Sequence, residues 1–182
     1  MTIGVLALQG AVSEHIAALH KLGATTQEIR EPAALAGIDG LVLPGGESST
    51  MRLLLERENL LTPLRQLIAD GLPVFGTCAG MVLLAQPEGF NALPARVKRN
   101  GFGRQRESFE EDLVVDDLAT PYPGVFIRAP YYQSVAPEVT VLATVGAGRV
   151  VAASYKRLLV TAFHPELTTD LRLHKRFLAL TH

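Results

Sequence analysis

Short apolar runs alternate with amphipathic segments along the first half of the chain. Four of these runs have the length and composition of buried strands: residues 3–8, 25–29, 39–43 and 72–75. Apolar side chains recur at the spacing of one helix face in three segments between them: residues 12–22, 51–55 and 63–69. Because strands that alternate with helices are typical of parallel βαβ units, the pattern predicts an α/β fold of the flavodoxin-like kind. We expect a doubly wound, mostly parallel sheet with helices on both faces.

The pattern changes after residue 86. Three further runs are strand-like, and Gly146 and Gly148 mark a turn between the first two: residues 139–145, 149–155 and 158–163. Strands joined by short turns pair antiparallel, so we expect a few antiparallel strands in this half, followed by a closing helix. No repeat, low-complexity tract or linker interrupts the 182 residues, which predicts a single domain over residues 1–182.

Composition narrows the class of function. Hydrophobic residues make up 48% of the chain and the net charge is −1, so nothing favours a nucleic-acid or membrane partner. A basic stretch at residues 96–106 is followed by an acidic one at 107–117, which is typical of a solvated face. No apolar run is long enough to span a bilayer, and no basic segment precedes the first strand. We therefore expect a cytoplasmic protein.

The chain has one cysteine, Cys78, which excludes an internal disulfide and a multi-cysteine metal site. We expect no metal and no cofactor. Cys78 lies between Gly76 and Gly80, directly after an apolar strand and before an apolar helical run. This pattern is typical of a nucleophile elbow with sulfur in place of oxygen, at a helix N-terminus that favours a thiolate. An inert, buried cysteine is the alternative interpretation.

A second glycine turn, at Gly45 and Gly46, also follows a strand directly. In a doubly wound sheet the carboxyl ends of the strands border the functional crevice, so both turns belong to one edge. The backbone N–H groups of this loop and of Ala79 are candidates for an oxyanion hole. The hydroxyl side chains that follow are good helix caps, which is the plainer explanation for them: Ser48, Ser49 and Thr50.

His164 and Glu166 end the last predicted strand, two residues apart. Side chains at this spacing point to one side of an extended strand, and Pro165 stiffens the pair. With Cys78 they predict a catalytic triad of thiolate, imidazole and carboxylate. His15 and His20 lie on the first predicted helix, where we interpret them as solvated or partner-facing.

Three segments together resemble class I glutamine amidotransferases: residues 43–48, 75–80 and 163–166. Three more resemble, within that family, the glutaminase branch that serves pyridoxal 5′-phosphate synthases: residues 8–12, 99–105 and 124–130. The resemblance spans nearly the whole chain. The loop between residues 85 and 96 is shorter than the family leads us to expect, and Tyr131 and Tyr132 stand where other residues are expected.

The resemblance implies hydrolysis of L-glutamine to glutamate and ammonia through a γ-glutamyl thioester on Cys78. It assigns the protonation of departing ammonia to His164 and the orientation of the imidazole to Glu166. It also implies six glutamine contacts: Gly46, Glu47, Ser48, Arg99, Ile127 and Arg128.

The implied partner is a barrel-type synthase subunit of pyridoxal 5′-phosphate synthase in a hetero-oligomeric complex. That subunit receives the ammonia for vitamin B6 synthesis, and the glutaminase is expected to be weak without it. The classes expected for the chain are therefore hydrolase and lyase.

Two rivals remain open on the sequence. The first is a cysteine hydrolase or amidotransferase of the same fold that serves another acceptor. The second is a non-catalytic flavodoxin-like binding module in which Cys78 is a small core residue. A thiol that reacts with iodoacetamide and is protected by glutamine would distinguish an enzyme from such a module.

Overall fold

The structure, a computed structural model, describes residues 1–103 and 108–182. Its helices are α1 (Val12–Lys21), α2 (Ser48–Arg57), α3 (Leu61–Ala69), α4 (Ala79–Ala85) and α5 (Arg172–Ala179), with 3₁₀ turns at Pro32–Leu35 and Pro165–Leu167. The strands of the first half are β1 (Thr2–Leu6), β2 (Thr25–Ile29), β3 (Gly40–Leu43), β4 (Val74–Thr77) and β5 (Ala95–Lys98). Those of the second half are β6 (Ser108–Leu113), β7 (Tyr122–Ile127), β8 (Tyr131–Val135), β9 (Thr140–Val145), β10 (Arg149–Tyr155) and β11 (Leu158–Thr161).

The strands of the main sheet follow the order β2-β1-β3-β4-β11-β10-β8-β5, and β9 pairs with β10 beside this path. The first five strands in this order are parallel, whereas β10, β8, β5 and β9 pair antiparallel. A separate antiparallel pair joins β6 to β7. The α/β fold with a mostly parallel sheet and antiparallel strands in the second half is therefore confirmed.

The register of the central strands brings three loops to one edge of the sheet. Leu43 at the end of β3 pairs with Gly76 on β4, and Thr77 at the end of β4 pairs with Thr161 on β11. These strands are buried along their whole length, which explains their continuous apolar sequence. Their carboxyl ends deliver the Gly45–Gly46 loop, the cysteine and the histidine to a common rim, as predicted.

One local prediction was wrong. Strand β11 ends at Thr161, so His164 and Glu166 do not alternate along an extended strand. Instead, Pro165 begins a 3₁₀ turn, because its fixed φ and missing N–H suit the first position of a helical turn. The turn brings the two side chains together by folding the chain back.

Two further expectations concern the charged segment after residue 96 and the absence of a membrane span. Of the charged segment predicted to be a solvated face, Arg104, Arg106 and Glu107 lie outside the described residues, as does Gln105 of one resemblance motif. None of the helices within residues 1–103 and 108–182 has the length and apolar character that a membrane span requires.

Candidate active site

Cys78 occupies a strained backbone position between β4 and α4. Its φ and ψ are 48° and −102°, in a region that side-chain-bearing residues rarely adopt. Its N–H donates to the Thr161 carbonyl at 2.8 Å, which ties the turn to β11. A Cβ at Gly76 would lie 2.8 Å from the Gly80 carbonyl carbon, and one at Gly80 would lie 2.3 Å from the Leu43 oxygen. The glycines are thus required by close packing of strand and helix, as the sequence predicted.

His164 and Glu166 form a short hydrogen bond. His164 Nδ1 lies 2.7 Å from Glu166 Oε1, and both side chains are largely buried. Because a carboxylate only accepts hydrogen bonds, Nδ1 carries the hydrogen and Nε2 is directed elsewhere. This is the orientation that a carboxylate imposes on the histidine of a triad.

The imidazole of His164 also interacts with the thiol of Cys78. Burial lowers the pKa of His164, but hydrogen bonds to Cys78 and Glu166 and the charges of both groups outweigh burial and raise it to about 10. A Cβ on Gly45 would lie 2.4 Å from His164 Cε1 and 3.3 Å from Cys78 Cβ, so both side chains flank one glycine. The thiol and the imidazole therefore share one small space, in which a protonated ring can pair with a thiolate.

Glu166 is kept ionised by its neighbours. Burial raises the pKa of its carboxyl group, whereas the hydrogen bond from His164 and the nearby His15 lower it, and the net shift is downward. A carboxylate that stays charged stabilises the imidazolium beside it.

A cavity of about 530 Å³ opens above the cysteine. It is lined by twelve residues: Gly46, Glu47, Ser48, Cys78, Ala79, Val82, Arg99, Asn100, Ile127, Arg128, Pro130 and His164. All six residues expected to contact glutamine are among them. The Sγ atom of Cys78 lies 3.9 Å from the Ile127 carbonyl oxygen, and Arg128 has a φ of 44° where the chain turns past the cavity.

Two charged side chains meet at the rim of this cavity. Arg99 Nη2 lies 2.8 Å from Glu47 Oε1, and Arg99 Nη1 donates to Ser49 Oγ at 2.9 Å. The Glu47 carboxylate also accepts from the backbone N–H groups of Ser49 and Thr50, and these bonds lower its pKa to about 2. Glu47 is thus the cap of α2, in place of the hydroxyl residues that the sequence suggested.

The predicted oxyanion loop is packed tightly on its outer side. A Cβ on Gly10 would lie 1.7 Å from the Gly45 carbonyl oxygen, and Gln9 Oε1 accepts from the Glu47 N–H at 2.9 Å. Gly46 has a φ of 154° and lines the cavity together with Ala79. The structure therefore brings Gly45, Gly46 and Ala79 to the nucleophile, and their role as hydrogen-bond donors stays a prediction.

Sequence reasoning missed part of the site. Val82, Asn100 and Pro130 line the cavity without having been singled out, although Asn100 and Pro130 lie within the motifs of the resemblance. The interpretation of His15 as solvated or partner-facing was wrong, since its ring is fully buried behind the triad. His20, on the same helix, is exposed and bonds Thr26 at 2.7 Å.

The two tyrosines that depart from the family pattern have packing roles on β8. Tyr132 is fully buried and its hydroxyl donates to the Met81 carbonyl at 2.8 Å, which fastens β8 to α4. The ring of Tyr131 covers Gly101, where a Cβ would lie 2.2 Å from it. Within the described ranges, no group of three or more histidine, cysteine or acidic residues is placed to hold a metal ion.

Known proteins that are similar to this chain share one family. Residues 5–181 match the SNO glutamine amidotransferase family. Pyridoxal 5′-phosphate synthase subunit PdxT of Listeria innocua serovar 6a is 53% identical, over 97% of this chain and 96% of that protein. The subunit of the same name from Moorella thermoacetica is 52% identical, over 99% of both. A crystal structure of a glutamine amidotransferase superposes with a TM-score of 0.92 at 43% identity, covering 98% of each chain. The chain belongs to the SNO glutamine amidotransferase family.

Proposed function

We propose that this chain is the glutaminase subunit of a pyridoxal 5′-phosphate synthase and hydrolyses L-glutamine to L-glutamate and ammonia. The observation that carries the proposal is the convergence of Cys78, His164 and Glu166 on one cavity from three separate parts of the sequence. The relatives named above, about 50% identical along nearly the whole chain, carry that subunit's name.

The reaction begins when the Cys78 thiolate attacks the side-chain amide carbon of glutamine. The C–S bond forms as the carbonyl π electrons move to oxygen, and the resulting tetrahedral intermediate collapses with loss of the C–N bond. His164, protonated in the pair with Cys78, gives its proton to the departing nitrogen, which leaves as ammonia. Water then attacks the γ-glutamyl thioester, with His164 accepting its proton, and glutamate and the thiolate are released.

The negative charge on the carbonyl oxygen needs donors fixed in place. We assign this role to backbone N–H groups of Gly45 or Gly46 and of Ala79, which flank the nucleophile on two loops. Loss of one such donor typically costs roughly 3 kcal/mol of transition-state stabilisation. The lack of space around Gly10 and Gly45 holds this loop against Cys78 and His164.

The rim of the cavity suits a zwitterionic amino acid. Arg99 offers a guanidinium group and Glu47 a carboxylate within one cavity, which complements the carboxylate and ammonium groups of free L-glutamine. Ser48 and the backbone at Ile127 and Arg128 complete the proposed contacts.

The ammonia produced is expected to pass to the barrel-type synthase subunit in a hetero-oligomeric complex in the cytoplasm. The expectation that the chain is itself a lyase is wrong. Its family is that of glutamine amidotransferases and its relatives are named as one subunit of the synthase, and hydrolysis of an amide adds water without elimination. The chain is a hydrolase.

Both rivals are weaker than this proposal. A non-catalytic module does not explain why a cysteine is held at a positive φ beside a histidine–carboxylate pair. A hydrolase serving another acceptor is disfavoured by the names of the relatives.

Cys78→Ala in the complex with the synthase subunit tests the proposal. Because the variant lacks the nucleophile but keeps the fold, glutamine-dependent synthesis of pyridoxal phosphate should vanish while synthesis from ammonium salts continues at the wild-type rate. Product formation with each nitrogen source is the measurement. Loss of both activities would show that Cys78 has only a structural role, and retention of both would exclude it as the nucleophile.

A further inference from the structure

A buried imidazole stands behind the triad on the far oxygen of Glu166. Glu166 Oε1 is bonded by His164, and Oε2 lies 3.4 Å from Nε2 of His15 on α1. Both side chains are fully buried. Among the described residues, Oε2 accepts no hydrogen bond of good geometry. A buried carboxylate oxygen without a donor is costly, so His15 is the group placed to compensate it.

The His15 ring is itself held from two other elements. Its Nδ1 lies 3.0 Å from Nε2 of His174 on α5, and its Nε2 lies 3.2 Å from Oγ1 of Thr77. Thr77 is the last residue of β4 and directly precedes Cys78. Phe75 packs edge-on against both rings, and its ring centroid lies 6.3 Å from that of His15 and 5.4 Å from that of His174. The ring therefore links the strand of the nucleophile to the carboxylate of the triad.

The positions of the hydrogens follow from the acceptors. Glu166 Oε2 can only accept, so the hydrogen of neutral His15 lies on Nε2, which bonds Thr77 Oγ1 at 3.2 Å and faces Oε2 at 3.4 Å. Nδ1 of His15 is then an acceptor, and His174 donates to it from Nε2. This leaves Nδ1 of His174 unprotonated, and it has no hydrogen-bond partner among the described residues. The hydrogen bonds thus run from His174 through His15 to Thr77, and Nε2 of His15 is the nitrogen that lies next to the carboxylate.

We propose that His15, fixed by His174 and Thr77, is a positioning residue for glutamine hydrolysis that holds the second oxygen of Glu166 and thereby orients the His164 imidazole. The inference rests on the proposed function. A carboxylate fixed at one oxygen only can rotate about its last bond, and the imidazole turns with it. Holding both oxygens removes that freedom.

The pH dependence of the reaction reports on this contact. The titratable groups that face Glu166 are His164, His15 on α1, His174 on α5 and Tyr122 on β7, and Glu14 lies near His15. Burial, the largest influence, lowers the pKa of His15 and of His174, so both rings are neutral at neutral pH. Removal of His15 takes away a donor facing Glu166, raises the pKa of that carboxyl group and moves the acid limb of kcat to higher pH.

Three variants in the complex with the synthase subunit test the inference. His15→Leu removes the donor, His15→Gln keeps an N–H close to the position of Nε2, and His20→Leu changes an exposed histidine on the same helix. We measure kcat and KM for ammonia release from L-glutamine as a function of pH, with circular dichroism to verify folding. His15→Leu should lose roughly tenfold in kcat with KM unchanged, because His15 does not line the cavity. The acid limb of its kcat should shift to higher pH. His15→Gln should recover most of the rate, and His20→Leu should match the wild type.

Several results would overturn the inference. A folded His15→Leu with wild-type kcat and pH profile would show that the contact is irrelevant to the reaction. A folded His15→Gln that is as slow as His15→Leu would show that the ring shape matters and the donor does not. Should His15→Leu fail to fold, His15→Gln alone decides, and a loss of tenfold or more in that variant refutes the inference. Cys78→Ala distinguishes failure of the proposed function from failure of this inference. If Cys78→Ala stays active, the proposed function fails; if it is inactive and His15→Leu is unimpaired, only this inference fails.

Discussion

Around the nucleophile, neighbouring loops pack so closely that a side chain on the glycines of these loops would not fit. The Gly45 carbonyl oxygen lies where a Cβ on Gly10 would stand, and the Gly45 Cα lies against the His164 ring. Cys78 itself is held at a positive φ, which costs about 1–3 kcal/mol and persists because the surrounding strands and helix fix it. The position of each reacting atom is therefore set by contacts between loops.

Gly10→Ala tests the importance of this contact. A Cβ 1.7 Å from the Gly45 oxygen must displace the loop that carries the proposed oxyanion donors, so kcat for glutamine hydrolysis should fall roughly 100-fold. Gly71→Ala is the matched control, because Gly71 has a φ of 98° against 94° for Gly10, but none of the described atoms lies within 4 Å of the added Cβ. Both variants should lose about 1–2 kcal/mol of stability from the left-handed conformation, and only Gly10→Ala should lose activity. Equal kcat in the two variants would show that the packing of Gly10 on Gly45 does not position the site.

At the scale of elements, the sequence was sufficient where a pattern depends on local sterics. The elbow could be predicted because Gly76 and Gly80 are needed on both sides of a tight turn between strand and helix. The common rim followed from the rule that parallel strands end at one edge of the sheet. The 3₁₀ turn after His164 was not predicted, although Pro165 suits the start of a helical turn as well as an extended strand.

Tertiary contacts explain the elements that sequence reasoning misjudged. Glu47 caps α2 because its carboxylate is turned towards the helix by three hydrogen bonds and by Arg99, which comes from a distant segment. His15 is buried because α5 and β4 supply polar partners, His174 and Thr77, that no local pattern around residue 15 reveals. A polar residue on an amphipathic helix is normally exposed, and only the fold shows which one has a buried partner.

At the scale of the whole molecule, the fold encloses titratable groups that differ in their response to pH. Burial lowers the pKa of His15, and it lowers that of His174 from 6.5 to about 3, so the folded chain keeps both neutral. The pKa of His164 is raised from 6.5 to about 10. Hydrogen bonding and charge outweigh burial at Glu166 and lower its pKa below 4.5.

These shifts predict a maximum of stability near pH 6.5. Below that pH the unfolded chain binds protons at His15 and His174 that the folded chain does not. The free energy of unfolding therefore decreases as the pH is lowered. Above it the folded chain retains the His164 proton that the unfolded chain loses, so stability falls again towards pH 10. Urea denaturation at about pH 5, 6.5 and 9 measures both limbs. His174→Phe should flatten the acid limb and His20→Phe should leave it unchanged, whereas greater stability at pH 5 than at pH 6.5 would contradict the burial of neutral rings.

If Cys78 is the nucleophile, it becomes covalently attached to the glutamyl group of the substrate, and trapping that thioester tests this directly. The complex is mixed with L-glutamine, quenched in acid and digested, and the peptides are weighed by mass spectrometry. We expect one glutamyl group on the peptide that contains Cys78, and none in Cys78→Ala. Steady release of ammonia with the glutamyl group on another residue, or with an undiminished rate in Cys78→Ala, would contradict it.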